Sequence, residues 1–268
     1  MSDLWVVIGL ALLPGLGNLA GGMMAEFGRT TPRLLNFALH AASGIVLGVV
    51  AIELMPEALD NLAGWWIAAS FAAGGAAYVG AESLIEKMST SKNGGGSSMW
   101  MIYVAVAVDL SSDGLMLGSG AAVSFAFGVT LAAGQVLADL PEGFATVANL
   151  RENGVPRKRR IMLSASFILY CVGAALLAYL LLRGAPDAAK LAALAFAAGL
   201  LSVAAVEDML EEAHGAREDT RGSVLAFIGG FALFVLVSAG LETVLGDDPQ
   251  NEAQIEAVRS EGARAPSG

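Results

Sequence analysis

Charge is scarce in this sequence, and histidine and cysteine are scarcer still. Only 15% of the 268 residues are charged, against about 25% in a typical soluble domain. The single cysteine, Cys171, excludes an intramolecular disulfide, a thiolate zinc knuckle and a CxxC redox pair. Two histidines, His40 and His214, are too few for a multi-histidine zinc hydrolase centre. Basic residues are outnumbered 15 to 25, and the net charge of −10 argues against a nucleic-acid partner. What remains is apolar: 56% of residues are hydrophobic and the mean hydropathy is +0.65. That balance belongs to a polytopic membrane protein whose partner is the lipid bilayer.

Crossing about 30 Å of hydrocarbon takes roughly 20 helical residues. Eight charge-poor stretches reach that length, at about 4–27, 34–55, 62–84, 99–121, 123–148, 161–183, 189–210 and 223–245. No ten-residue alternation of the β-barrel kind is visible, so the expected fold is an all-α membrane bundle. The opening Met1-Ser2-Asp3-Leu4-Trp5 has neither a basic leader nor a small-residue cleavage pattern, and the first span is read as retained. Loops after spans 1, 3, 5 and 7 carry eleven basic residues, while the remaining connections and the two ends carry four. The positive-inside rule then places the odd loops in the cytoplasm and both termini outside a cell membrane. That rule also accounts for the basic cluster Arg157–Arg160. Trp5, Trp65, Trp66, Trp100 and Tyr103 fall near span ends, where interfacial anchors belong. Ser89–Ser98 reads as a flexible linker. Residues 1–245 read as the membrane domain, and the composition of Gly246–Gly268 predicts an acidic, disordered tail.

Two internal matches stand out. Phe71-Ala-Ala-Gly…Glu82…Glu86 recurs as Phe196-Ala-Ala-Gly…Glu207…Glu211, at an offset of 125. Ala41-Ala-Ser-Gly…Glu53…Glu57 lies on Ala197-Ala-Gly…Asp208…Glu212, at an offset of 155. Spans 2 and 7 cross in opposite directions, so the second match has the form of an inverted transporter repeat.

The chemistry is concentrated in spans 4 and 5. An ionisable residue in mid-membrane costs roughly 2.5–3.5 kcal/mol even on the lenient insertion scale, and marks a functional site by default. Four such residues occur here. Asp109 and Asp113, spaced i,i+4, share one face of helix 4, and Asp139 and Glu142, spaced i,i+3, share one face of helix 5. Gln135 lies one turn before Asp139 on the same stripe. Pro141 removes a backbone hydrogen bond and frees the Leu137 carbonyl. Gly114, Gly118, Gly120 and Gly143 allow close helix approach beside the acids. Carboxylates gathered in a low dielectric must share protons or bind cations. The set reads as an oxygen-rich divalent-cation site on a transport path.

These segments resemble the ZIP (Zrt/Irt-like) family of divalent-metal transporters along nearly the whole membrane part. Asp113-Gly-Leu-Met-Leu-Gly118 is similar to the family's helix 4 motif, His-Asn-x-x-Asp/Glu-Gly. Asp139-Leu-Pro-Glu-Gly-Phe-Ala145 is similar to its helix 5 motif, His-Asp/Glu-x-Pro-Glu-Gly. Phe37–Ala58 resembles its second helix, and Phe196–His214 its seventh. The resemblance implies a 3+2+3 bundle of eight helices with both termini extracytoplasmic and a metal site where helices 4 and 5 meet. The chain departs from the family where histidine and asparagine are usual: Asp109, Leu110 and Ala138 stand there, and Tyr170 stands for a helix 6 glutamate. One principal metal is therefore expected, held by Asp109, Asp113, Asp139 and Glu142, with Ser112 and Gln135 as helpers. Zinc is the family default. An all-oxygen set favours harder ions, so manganese or ferrous iron should compete better than in histidine-bearing relatives.

Other charged residues frame this site. Glu82, Glu86, Glu207, Asp208, Glu211, Glu212 and His214 read as a cytoplasmic exit path or as ordinary helix-end charge. Glu53 and Glu57 read as an entry or, again, as helix-end charge. His40 reads as a satisfied packing histidine, and Met23, Met24, Met55 and Met116 as packing residues. Small-residue faces allow a homodimer. Two competing functions are a non-transporting metal sensor and an intramembrane aspartyl protease built on Asp109 and Asp139. The protease lacks its Tyr-Asp and Gly-x-Gly-Asp signatures, so no enzyme is expected.

Overall fold

The computed structural model describes residues 2–90, 97–209 and 220–246. These residues are 93% helical and contain no strand. Eight rods follow one another: α1 (Ser2–Phe27), α2 (Pro32–Asn61), α3 (Gly64–Thr90), α4 (Ser97–Val123), α5 (Phe125–Glu152), α6 (Arg157–Leu182), α7 (187–209) and α8 (Thr220–Gly246). Rod α2 contains a π turn at Val50–Leu54, and the described part of α7 includes one at Ala205–Met209. Of the linker expected over Ser89–Ser98, both ends are helical, since α3 reaches Thr90 and α4 begins at Ser97, and residues 91–96 lie outside the described residues. The tail expected from Gly246 lies almost wholly outside the described residues, as do Glu211, Glu212 and His214.

Local chemistry sets the rod ends. Thr31 caps α2, accepting from the Leu34 amide at 3.2 Å, with Pro32 preset at the first helical position. Ser124 caps α5 in the same way, 3.1 Å from the Phe127 amide, and permits a single-residue break between α4 and α5. Between α5 and α6 the chain turns at Gly154, whose φ of 72° lies in the left-handed region that suits glycine.

Six rods are long and apolar enough to cross a membrane: α1, α2, α4, α6, α7 and α8. The chain is a multi-pass, all-helical membrane protein. Rods α3 and α5 are as long, 27 and 28 residues. Alanine and glycine dilute α3, and Gln135, Asp139, Pro141 and Glu142 dilute α5. On α6 and α8 the outward faces are large and apolar, with Leu169, Leu177, Leu181, Leu225, Leu236 and Val244 all exposed. Such surface suits a hydrocarbon solvent and not water.

Four rods form a closed inner ring in which α2 packs on α5, α5 on α4, α4 on α7, and the π turn of α7 on α2. The others pack around it, α1 on α5 and α6, α6 on α4, α8 on α2 and α3 on α7. Odd rods run one way and even rods the other. Asn36 meets Ser223 and Glu53 meets Ser238, so α2 and α8 are parallel. A side chain on Gly15 would meet Ile168 and one on Gly22 would meet Ser164, so α1 and α6 are antiparallel.

The two sequence matches have separate origins in this packing. Gly74 abuts the Phe196 carbonyl while Gly199 abuts the Phe71 carbonyl, so the Phe-Ala-Ala-Gly segments are the two halves of one α3–α7 crossing. The same crossing recurs between α2 and α8, where Gly44 abuts the Phe227 carbonyl and Gly230 the Ala41 carbonyl. Each of these glycines allows backbones to touch where any Cβ would collide. The π turns at Val50–Leu54 and Ala205–Met209 begin 155 residues apart, matching the second offset.

Candidate metal centre

The inner ring brings the acids of α4 and α5 face to face. Asp113, Asp139 and Glu142 each offer a carboxylate oxygen within 4.8 Å of the others. Asp139 is fully buried, and Asp113 and Glu142 are 1% and 6% exposed. The antiparallel α4–α5 pairing explains the meeting. With Gly120 packed against Leu131, the chain rising along α5 passes Gln135, Asp139 and Glu142 as α4 descends past Asp113.

Gln135 joins the two helices. Its Nε2 donates to Asp113 Oδ1 across the interface and, at 3.2 Å, to Asp139 Oδ1 one turn further along α5. The second oxygens, Asp113 Oδ2 and Asp139 Oδ2, are buried without a hydrogen-bond partner among the described residues, as is Gln135 Oε1. Buried polar atoms are normally paired. Three oxygens left over in one place form a cradle suited to a hard or borderline cation.

The expected ligands separate here. Asp113, Asp139 and Glu142 converge, and Gln135 bridges them. Asp109 is buried on the same face of α4 but lies one turn from Asp113 and outside the three-carboxylate group. Ser112 turns to its own helix, donating to the Val108 carbonyl at 3.1 Å. Tyr170, expected in the helix 6 ligand position, instead meets Tyr103, which donates to its hydroxyl at 3.3 Å. The α6 residue beside the acids is Cys171, whose carbonyl abuts Gly114 next to Asp113.

The other described acids fall outside the three-carboxylate group. Glu53, in the α2 π turn, accepts from the Ser238 hydroxyl of α8, and Glu57 follows one turn later. Glu82 and Glu207 belong to the C-terminal parts of α3 and α7, which run against α2. Of Asp208 only the backbone is described, in the α7 π turn. His40 is buried with Nδ1 donating to the Asn36 carbonyl at 2.9 Å. Met116 is a fully buried packing residue.

Two residues escaped the sequence reading. Glu26, at the end of α1, receives Arg160 in a fork at 2.7 and 2.9 Å, and Arg157 at 3.2 Å. The basic cluster before α6 thus ties α6 to α1 as well as obeying topology. Asn18, in the glycine-rich part of α1, is fully buried. A polar residue inside an apolar span was the available signal.

No protein-family model matches the chain, and no curated protein matches it by sequence. The fold and the site define the class: a multi-pass helical membrane protein with a buried carboxylate cluster between two inner helices.

Proposed function

We propose that this chain is a divalent-metal transporter of the ZIP type, moving the ion toward the cytoplasm by alternating access. The observation behind this reading is the convergence of Asp113, Asp139 and Glu142 inside the inner ring. Three carboxylates so close repel one another strongly in a low dielectric, and a divalent cation offsets that repulsion. The ion is cargo, and the chain is not an enzyme.

Eight spans with both termini outside accord with the strict alternation of rod direction and with the basic-residue bias of the odd loops. The equivalent α2–α8 and α7–α3 crossings accord with an inverted repeat, the architecture that alternating access uses. In this reading Glu53 and Glu57 attract the ion on the outer side, and Glu82, Glu207 and Asp208 receive it on the inner side. Asp109, one turn from the triad, is the first step along that path. Carboxylate and amide oxygens suit manganese and ferrous iron at least as well as zinc.

The test is uptake of radioactive zinc and manganese into proteoliposomes holding the purified chain. Saturable uptake is expected, lost in Asp139→Asn, with manganese competing effectively against zinc. Zinc outcompeting a large excess of manganese would overturn the metal preference. Binding without uptake would make the protein a sensor, and no binding at all would leave the acids as structural groups.

A further inference from the structure

We infer that Asn18 of α1 supplies a neutral amide oxygen to the cation held by Asp113, Asp139 and Glu142. This rests on the metal-site reading above and adds to it a ligand from a third helix.

Placement comes first. Val7, Ala11, Asn18 and Ala25 are all buried and fall on one stripe of α1 by their spacing. On one side of that stripe Gly17 and Gly21 abut α5 at Val136 and Leu140. On the other, Gly15 abuts α6 at Ile168, and Gly22 meets both Val147 of α5 and Ser164 of α6. Asn18 lies between these two lines of contact and so points into the seam between α5 and α6. At its level on α5 is Gly143, so close that any Cβ there would strike the Asn18 backbone. Glu142 immediately precedes Gly143, and Asp139 lies one turn back. Across the seam on α6, Cys171 abuts Gly114, the neighbour of Asp113.

Chemistry comes second. Both Asn18 Oδ1 and Nδ2 are buried with no hydrogen-bond partner among the described residues. A carboxamide that only filled space would be an expensive choice there, since leucine fills as well without desolvating two polar atoms. The unpartnered amide sits on α1 against Gly143 of α5, the helix that carries Asp139 and Gln135, and those two residues and Asp113 have unpartnered oxygens of their own. A divalent ion answers both ends: Oδ1 binds the metal, and Nδ2 is placed to donate to a ligating carboxylate.

The experiment is calorimetric titration of Mn2+ and Zn2+ into the detergent-purified full chain, alongside metal-free melting. In Asn18→Leu the affinity should fall about 10- to 100-fold, the loss typical of a supporting group at a metal site. Its metal-free melting temperature should hold or rise, because an unpaired buried amide is gone. Asn18→Asp keeps an oxygen donor and should bind at least as tightly as wild type. It also carries the test if the leucine variant does not fold. Wild-type affinity in Asn18→Leu, or weakened binding in Asn18→Asp, overturns the assignment. If wild type binds and Asp113→Asn does not, either result removes Asn18 alone. If wild type itself binds no metal, the parent reading falls with it.

Discussion

Asp113→Asn will abolish metal binding and leave the bundle standing. The substitution keeps the shape of the side chain and an oxygen that accepts from Gln135, so the α4–α5 bridge survives. What it removes is one of three carboxyl groups that each offer an oxygen within 4.8 Å of the others. The metal-free protein is relieved of a crowded, buried carboxyl group and should melt no lower than wild type. The bound state loses a charged ligand, and the affinity for zinc or manganese should drop by more than roughly 100-fold, beyond the usual loss from a supporting residue. That corresponds to about 2.7 kcal/mol or more. Titration calorimetry reads the affinity directly. Thermal melting reads it a second way, since a ligand at 100 times its Kd stabilises by about 2.7 kcal/mol and that gain should vanish. An Asp113→Asn protein that still gains stability from metal would place the ion elsewhere.

Glu26→Ala should cost the fold more than any substitution in the carboxylate cluster. Glu26 and Arg160 form a buried, forked ion pair between α1 and α6, and the Glu26 side chain is 5% exposed. Arg160 also donates to the Val155 carbonyl, which fixes the turn between α5 and α6. Removing Glu26 strands the guanidinium without its counter-charge, a change that typically destabilises by about 3–5 kcal/mol. The paired replacement Glu26→Leu with Arg160→Leu should recover most of that loss, because neither charge is left uncompensated. Unfolding in mixed detergent micelles measures both. Equal stability of Glu26→Ala and wild type would show that the pair contributes little, as exposed pairs do.

The helices, and the buried acids that meet between α4 and α5, were legible because membrane burial writes itself in local patterns. An apolar run of span length needs no tertiary knowledge, and the i,i+4 and i,i+3 acids mark one face of α4 and one of α5 by geometry alone. Choosing among those acids was harder. Asp109 and Asp113 share a face, yet only Asp113 is level with Asp139 and Glu142, and that level is set by where Gly120 meets Leu131. Tyr170 and Cys171 are adjacent in sequence, and the rotation of α6 that turns Cys171 toward α4 is a packing outcome. The Glu26–Arg160 pair spans 134 residues and has no local signature. Asn18 was visible as a polar residue in a span but indistinguishable from a surface position until the four glycines around it were seen to face two different helices. The 125-residue match looked like duplication because reciprocal glycine crossings use the same residues on both sides.

Crystals of the full chain grown with manganese, and separately with zinc, would locate the ion through anomalous scattering at each metal's absorption edge. One strong peak is expected between α4 and α5, about 2.0–2.2 Å from oxygens of Asp113, Asp139 and Glu142. A peak confined to the helix ends around Glu53 or Glu207, with none among the three buried carboxylates, would contradict it.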